Sequence, residues 1–144
     1  MFCKTLLDDR KRVFTVASGA TLAQAADLMT RHKIGALMVV SESGGLSGIF
    51  TERDLTRAVA GHAQDAPAFP VERFMTRDVA TCAPDDDLQH VMRLMDQRRI
   101  RHVPVVQDGL PVGMVSIRDV VDRLLEETAT ERDTLRDYVS GGVC

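Results

Sequence analysis

Two short segments of this 144-residue sequence place a hydroxyl three positions before a carboxylate. Thr51 precedes Asp54, and Ser116 precedes Asp119. A carboxylate can accept two hydrogen bonds from a vicinal diol, such as the 2′- and 3′-hydroxyls of ribose. The free backbone amides at the start of a helix favour phosphate oxygens. Both segments therefore have the chemistry to contact a phosphorylated sugar, provided that each begins a helix.

The same spacing also has a purely structural interpretation. A hydroxyl at the start of a helix and an acidic side chain three residues later can form a capping box, in which each side chain accepts a hydrogen bond from the backbone of the other residue. Capping needs no ligand. The spacing alone therefore leaves both interpretations open for Thr51 with Asp54 and for Ser116 with Asp119.

An internal repeat determines which elements carry these groups. Four apolar positions recur after 66 residues, since Leu22, Leu28, Met29 and Ile34 return as Leu88, Leu94, Met95 and Ile100. Beyond a glycine-bearing turn the distance becomes 65 residues, and the segment from Gly48 to Asp54 returns as the segment from Gly113 to Asp119. One residue is lost in the turn, where a change of length costs little.

Each copy predicts the order β-α-β-β-α, which makes the fold class α+β. Short strands at Phe14–Val16 and Val79–Thr81 precede helices with apolar residues at helical spacing, and Thr21 with Gln24 fits a capping box. Two strands joined by a hairpin follow, and the second helix begins at Glu52 or Ile117. The predicted domains are a first repeat with a lead-in segment (1–60), a linker (61–70), a second repeat (71–125), and a C-terminal helix and tail (126–144).

The residues around these elements resemble the cystathionine β-synthase (CBS) domain. The resemblance lies in the Gly-x-x-[Thr/Ser]-x-x-Asp pattern after a hairpin, found twice, and in the run Arg101-His-Val-Pro-Val-Val106. It covers about residues 2–60 and 71–125. The chain is most similar to stand-alone bacterial proteins made of one CBS pair. The resemblance implies two repeats packed through their sheets around an approximate twofold axis, with two clefts between them.

Family resemblance also implies roles for individual residues. It assigns the ribose diol to Asp54 and Asp119, with Thr51 and Ser116 beside them, and the phosphate tail to Arg101 and His102. Backbone groups of the first strands are expected near the adenine edge, although these residues can equally be ordinary strand residues: Thr15, Val16, Val79 and Thr81. Pro104, a strand proline, is expected to border a cleft because a proline suits a strand edge.

The basic cluster of the second copy has no counterpart in the first. Arg101 and His102 correspond to Gly35 and Ala36, so we expect two clefts of unequal charge. Arg98 and Arg99 extend the cluster, or else they cap the negative end of a helix in solvent.

Composition excludes several classes of protein. With 18 basic and 21 acidic residues the net charge is −3, which gives no global field for nucleic acid or an anionic membrane. No apolar run reaches the roughly 20 residues of a membrane span, and we expect a cytoplasmic protein. The cysteines Cys3, Cys82 and Cys144 suggest neither a disulfide framework nor a metal site. No nucleotide-hydrolase, dehydrogenase or hydrolase motif is present, so we expect no enzyme.

The sequence thus predicts a regulatory sensor that binds an adenine nucleotide between its repeats and relays this to a partner protein. AMP is the first ligand expected from the resemblance, and NAD(H), ATP and S-adenosylmethionine are the others. A homodimer and a regulated partner protein are expected as well. The alternative is a CBS pair that dimerises or docks on a protein without binding any nucleotide.

Overall fold

A computed structural model describes Phe2, Cys3, Leu6 and residues 13–142, with the backbone alone from residue 130 onwards. The first repeat contains β1 (Thr15–Ala17), α1 (Leu22–His32), β2 (Ala36–Val40), β3 (Leu46–Thr51) and α2 (Glu52–His62). The second contains α3 (Leu88–Arg98), β4 (His102–Gln107), β5 (Leu110–Ser116) and α4 (Ile117–Gly142). Two short 3₁₀ turns join them, at Ala63–Ala68 and Val71–Arg73. The α+β class and the element order of the first repeat are confirmed.

The first repeat forms a three-stranded sheet. Strand β1 runs parallel to β2, and β2 pairs with β3 in antiparallel register through the hairpin. Helix α1 begins at the predicted capping box, in which Thr21 Oγ1 accepts from the Gln24 N–H at 3.1 Å and Gln24 Oε1 accepts from the Thr21 N–H at 2.9 Å. Phe50 and Leu37 are fully buried between sheet and helices. The apolar residues at helical and strand spacing thus form the core of the first repeat.

The second repeat lacks its predicted first strand, and this prediction was wrong. Val79–Thr81 form no strand, and the sheet consists of β4 and β5 with a single parallel bridge from Cys82 to Val105. The Cys82 N–H donates to the Pro104 carbonyl at 3.0 Å, and the Val106 N–H donates to the Cys82 carbonyl at 2.8 Å. Cys82 is therefore the counterpart of Val16, which bridges Val39 in the first repeat.

Pro104 explains why the pairing does not extend to the residues before Cys82. Its carbonyl faces Cys82, and in a strand the nitrogen of the same residue faces the same way. In the first repeat the equivalent residue, Met38, donates its N–H to the Phe14 carbonyl at 3.4 Å. Proline has no N–H, so the matching bond to Ala80 cannot form. Pro104 is buried inside β4 on the side that faces Cys82, and it does not border a cleft as the sequence suggested.

The segments that lead into the two repeats are exchanged. Cys3 and Leu6 pack in the core of the second repeat, although the sequence suggested that they belong to the first. Val71 and Met75 pack in the core of the first repeat, although the sequence placed them in the second. The exchange is reciprocal, as expected for two repeats related by an approximate twofold axis, and it ties each core to both halves of the chain.

Two cysteines belong to the core of the second repeat. Cys3 and Cys82 are buried, and burial raises the pKa of both thiols. Both therefore stay neutral at physiological pH and act as packing residues. Cys144 lies outside the described residues.

Gly48 shows how closely the exchanged segment approaches β3. Thr76 forms an antiparallel bridge with Ile49, and the Ile49 N–H donates to the Thr76 carbonyl at 3.0 Å. A methyl group on Gly48 would lie 2.7 Å from the Thr76 carbonyl oxygen and 2.6 Å from the Met75 sulfur. Only a glycine lets the two backbones pass this closely.

We therefore expect Gly48→Ala to lower the free energy of unfolding by about 1–3 kcal/mol, because the backbone must move to relieve the overlap. Urea denaturation measures this. Gly19→Ala is the matched control, since a methyl group there meets nothing within 4 Å. Equal stability of the two variants would contradict the close approach of Thr76 to β3.

Helix α4 continues without a break across residues 125 and 126, where the sequence suggested that a separate tail helix begins. Val120 is fully buried, whereas the next apolar residues are exposed: Val121, Leu124 and Leu125. None of the helices in the described part of the chain is both long and apolar enough to cross a membrane.

Candidate ligand-binding clefts

The start of α2 is held by Thr51 and Asp54. Asp54 Oδ2 accepts hydrogen bonds from the Thr51 N–H at 2.9 Å and from the Thr51 hydroxyl at 3.1 Å. The Asp54 N–H donates to Thr51 Oγ1 at 3.4 Å. Asp54 is only 6% exposed. The structure therefore contains the capping box that the spacing allowed. Its hydrogen bonds to the Asp54 carboxylate use Oδ2, whereas Asp54 Oδ1 lies 3.9 Å from an Arg57 nitrogen.

The start of α4 repeats this arrangement. Asp119 Oδ2 accepts from the Ser116 N–H at 3.0 Å, and Ser116 Oγ accepts from the Asp119 N–H at 3.1 Å. Asp119 is half-buried. Since a carboxylate has a second oxygen with its own acceptor sites, capping and diol binding are compatible in both places.

Each of these helix starts opens on a cleft that the other repeat completes. The first, which we name the Thr51 cleft, has a volume of about 540 Å³. Thr51 and Asp54 line it from the first repeat, and Val79 and Ala80 line it from the residues just before Cys82 in the second repeat. Arg98 also lines it, and an Arg98 side-chain nitrogen lies 3.5 Å from an Asp78 carboxylate oxygen.

The second cleft, which we name the Ser116 cleft, has a volume of about 1290 Å³. Ser116 and Asp119 line it from the second repeat, and Val13 and Phe14 line it from the start of the first repeat. The volume of the Thr51 cleft lies within the range of typical small-molecule sites, about 300–1,000 Å³, and that of the Ser116 cleft lies above it. Each cleft thus combines a helix start of one repeat with residues that precede the first helix of the other.

Arg101 and His102 line both clefts. These residues therefore do not create the predicted inequality in charge, because β4 begins between the two clefts and its first residues reach each of them. The corresponding residues of the first copy, Gly35 and Ala36, lie in the same region, since Gly35 lines both clefts and Ala36 lines the Ser116 cleft.

The structure brings most, but not all, of the predicted site residues to the clefts. Thr15, Val16, Thr81 and Pro104 line neither of them, whereas Val79 lines the Thr51 cleft. The residues that occupy the expected places are Val13, Phe14 and Ala80. The 66-residue distance of the first helices, extended back to Phe14, would have identified Ala80 as its counterpart.

A basic residue in an unusual backbone conformation serves each cleft. Lys33 and Arg99 follow the last residues of α1 and α3, and both have φ 54° and ψ 46°, the left-handed region. Glycine is the usual residue there, because other residues pay about 1 kcal/mol or more. Lys33 lines the Ser116 cleft, and Arg99 lines the Thr51 cleft. Each cleft is therefore lined by a basic side chain at a position that favours glycine.

We expect Arg99→Gly to raise the free energy of unfolding by roughly 0.5–1 kcal/mol, because glycine adopts this conformation without strain. Chemical denaturation measures the change. Gln97→Gly, an exposed helical position two residues earlier, is the control and should cost about 1 kcal/mol. A loss of stability in both variants would show that Arg99 is not strained.

Among the described residues, no group of three His, Cys, Asp or Glu side chains could hold a metal ion.

Fold and clefts together define a class of protein: a pair of α+β repeats that exchange lead-in segments and enclose two composite clefts. The chain belongs to the CBS domain family, which matches residues 7–61 and 71–126. It is a regulatory module made of a tandem CBS pair.

Known proteins of this kind are similar over most of the chain. The mitochondrial CBS domain-containing protein CBSX3 of Arabidopsis thaliana is 38% identical over 126 residues, and the chain spans 61% of that relative's length. A CBS-domain-containing protein from Agrobacterium tumefaciens has a crystal structure with a TM-score of 0.80 and 40% identity, covering 85% of this chain and 98% of its own. The CBS domain pair of protein MJ0100, in complex with 5′-methylthioadenosine and S-adenosyl-L-methionine, has a TM-score of 0.78 and 33% identity, covering 89% and 98%.

Proposed function

We propose that this CBS pair is a sensor that binds adenosyl ligands in the Thr51 and Ser116 clefts and relays their presence to a partner protein. One observation carries the proposal: a hydroxyl and a carboxylate at a helix start open on each cleft, and the other repeat closes it. Helix-start amides suit a phosphate, and the carboxylate suits a ribose diol. The adenosyl ligands of the related MJ0100 pair support this choice.

The ligand class follows from the shared chemistry of the clefts. AMP, ATP, NAD(H) and S-adenosylmethionine all present adenosine to the carboxylate, and they differ in the tail that reaches Arg101 and His102. AMP remains the first ligand to test. We further propose that the protein itself catalyses no reaction, because its sequence carries no nucleotide-hydrolase, dehydrogenase or hydrolase motif.

A ligand that touches both repeats can bias their relative arrangement. Val79 and Thr51 belong to different repeats but line one cleft, so a bound adenosine would bridge them. The bridge shifts the arrangement only if the ligand binds one arrangement more tightly than another. Helix α4, which starts at the Ser116 cleft and carries exposed apolar residues, is the element best placed to transmit the change.

A thermal-shift titration with AMP, ADP, ATP, NADH and S-adenosylmethionine tests the proposal. A ligand at 100 times its dissociation constant should stabilise the fold by about 2.7 kcal/mol, which raises the unfolding midpoint visibly. An unchanged unfolding midpoint with all five ligands would contradict the sensor proposal.

The second candidate function is association without a nucleotide. Two observations favour it: both acidic residues already form caps, and α4 exposes Val121, Leu124 and Leu125 near its start. Such residues could bury themselves against a second copy of this chain. Sedimentation of the wild-type protein beside a variant with Leu125→Glu distinguishes a dimer formed through α4 from a monomer.

A further inference from the structure

Equivalent positions of the two clefts carry opposite charges. One turn after Asp54 stands Arg57, and one turn after Asp119, at the same point of the second repeat, stands Asp122. Arg57 lines the Thr51 cleft, and its side chain is 69% exposed. Asp122 is exposed and lines the Ser116 cleft. The position beside the predicted ribose site is therefore positively charged in the Thr51 cleft and negatively charged in the Ser116 cleft.

The remaining charges around the clefts reinforce this difference. The Thr51 cleft is lined by five arginines and three carboxylates, namely Arg53, Arg57, Arg98, Arg99 and Arg101 against Glu52, Asp54 and Asp78. The Ser116 cleft is lined by three basic and three acidic residues, namely Lys33, Arg101 and Arg118 against Glu52, Asp119 and Asp122. Only the Thr51 cleft has an excess of positive charge.

We propose that the Thr51 cleft selects adenosyl ligands with a phosphate tail and that the Ser116 cleft takes adenosyl ligands without phosphate, such as a thioether or a sulfonium. Arg57 and Asp122 set this difference. The inference rests on the proposed function, because it names which adenosyl ligand each cleft takes. Two chemically different ligands can then occupy one chain together, which allows the protein to respond to their ratio.

Charge is expected to decide between the tails because adenosine is common to both ligands. Arginine forms strong, charge-assisted hydrogen bonds to phosphate oxygens. A carboxylate at the equivalent position repels the same tail. Because these groups are exposed, the effect is screened by salt, with a Debye length of about 8 Å at physiological ionic strength.

Calorimetric titration of the full chain tests the assignment, with ADP and 5′-methylthioadenosine as the probes. We expect each probe to bind at one site per chain, and saturation with one probe to leave one site for the other still available. Arg57→Gln should weaken ADP binding about tenfold without changing 5′-methylthioadenosine binding. Asp122→Arg should create a second ADP site of comparable affinity.

Controls locate each probe and exclude a folding defect. Asp119→Asn should abolish 5′-methylthioadenosine binding and spare ADP, whereas Asp54→Asn should do the reverse. Added salt should weaken ADP binding and leave 5′-methylthioadenosine binding unaffected. Arg57 and Asp122 are exposed, so both substitutions should leave the unfolding midpoint nearly unchanged.

Competition between the probes for one site would overturn the inference, and so would an Arg57→Gln effect on ADP smaller than twofold. In those cases adenosyl binding itself would still stand. Failure of both probes to bind the wild-type chain would overturn the proposed function and the inference with it.

Discussion

Asp54→Ala is expected to weaken binding of an adenine nucleotide in the Thr51 cleft by at least about a hundredfold. A diol donates two hydrogen bonds to the carboxylate, and each bond to a charged group contributes roughly 1.5–3 kcal/mol. The same change also removes the carboxylate half of the capping box of α2, because Asp54 Oδ2 accepts from the Thr51 N–H and hydroxyl. We expect that loss to cost about 1 kcal/mol of folding stability. Calorimetric titration and urea denaturation measure the two effects separately.

Two further variants separate ligand binding from capping. Asp54→Asn keeps an oxygen that can accept from the Thr51 N–H, so it should retain the cap and still lose the affinity. Thr21→Ala breaks the capping box of α1, whose two residues Thr21 and Gln24 line neither cleft, so it should lose stability and keep the affinity. If Asp54→Ala behaves like Thr21→Ala, the carboxylate is only a cap, and association without a nucleotide becomes the preferred function.

Phe50→Ala should lower the free energy of unfolding by about 3–5 kcal/mol. Phe50 is fully buried in β3, in the core that α1, α2 and the exchanged residue Val71 share. Truncation loses the transfer free energy of the ring and leaves a cavity that the surrounding strands cannot close. Val115 is the equivalent residue of the second repeat, and Val115→Ala removes only two methyl groups, which predicts a cost of about 2 kcal/mol.

The shape of the unfolding curve is as informative as its midpoint. Because each lead-in segment packs on the core of the other repeat, we expect Phe50→Ala and Val115→Ala proteins to unfold in one transition. Val59→Ala, at a half-exposed position of α2, should stay within about 0.5 kcal/mol of the wild-type protein. Two separate transitions in the Phe50→Ala protein would contradict the exchange of segments.

Each cleft is lined by both repeats, which explains why the sequence predicted the site residues incompletely. The pairs Thr51 with Asp54 and Ser116 with Asp119 were found because their spacing is local to a helix start. The residues that close each cleft, Val79 with Ala80 and Val13 with Phe14, come from the other repeat. Nothing in their spacing relative to the carboxylates indicates which cleft they enter.

The secondary-structure predictions were correct where a strand pairs with a neighbour in sequence, and one failed where the partner strand is distant. The hairpin strands β2 and β3 lie where alternating apolar residues and a glycine-bearing turn predicted them. The strand predicted at Val79–Thr81 failed because its partner residue, Pro104, lies in β4 and cannot donate the bond that Met38 donates in the first repeat. A strand requires a partner, so its existence depends on residues far away in the chain.

The sequence by itself determined the two repeats, the caps that start α2 and α4, and the hydroxyl and carboxylate that each cap presents. These features depend on side chains within a few positions of one another, whose hydrogen bonds and periodicity are set locally. Only the tertiary structure decided that Arg101 and His102 serve both clefts, that Arg57 faces one and Asp122 the other, and that each lead-in segment belongs to the opposite core. Those features arise on folding, because burial of the apolar cores brings residues from distant parts of the chain together at the same cleft.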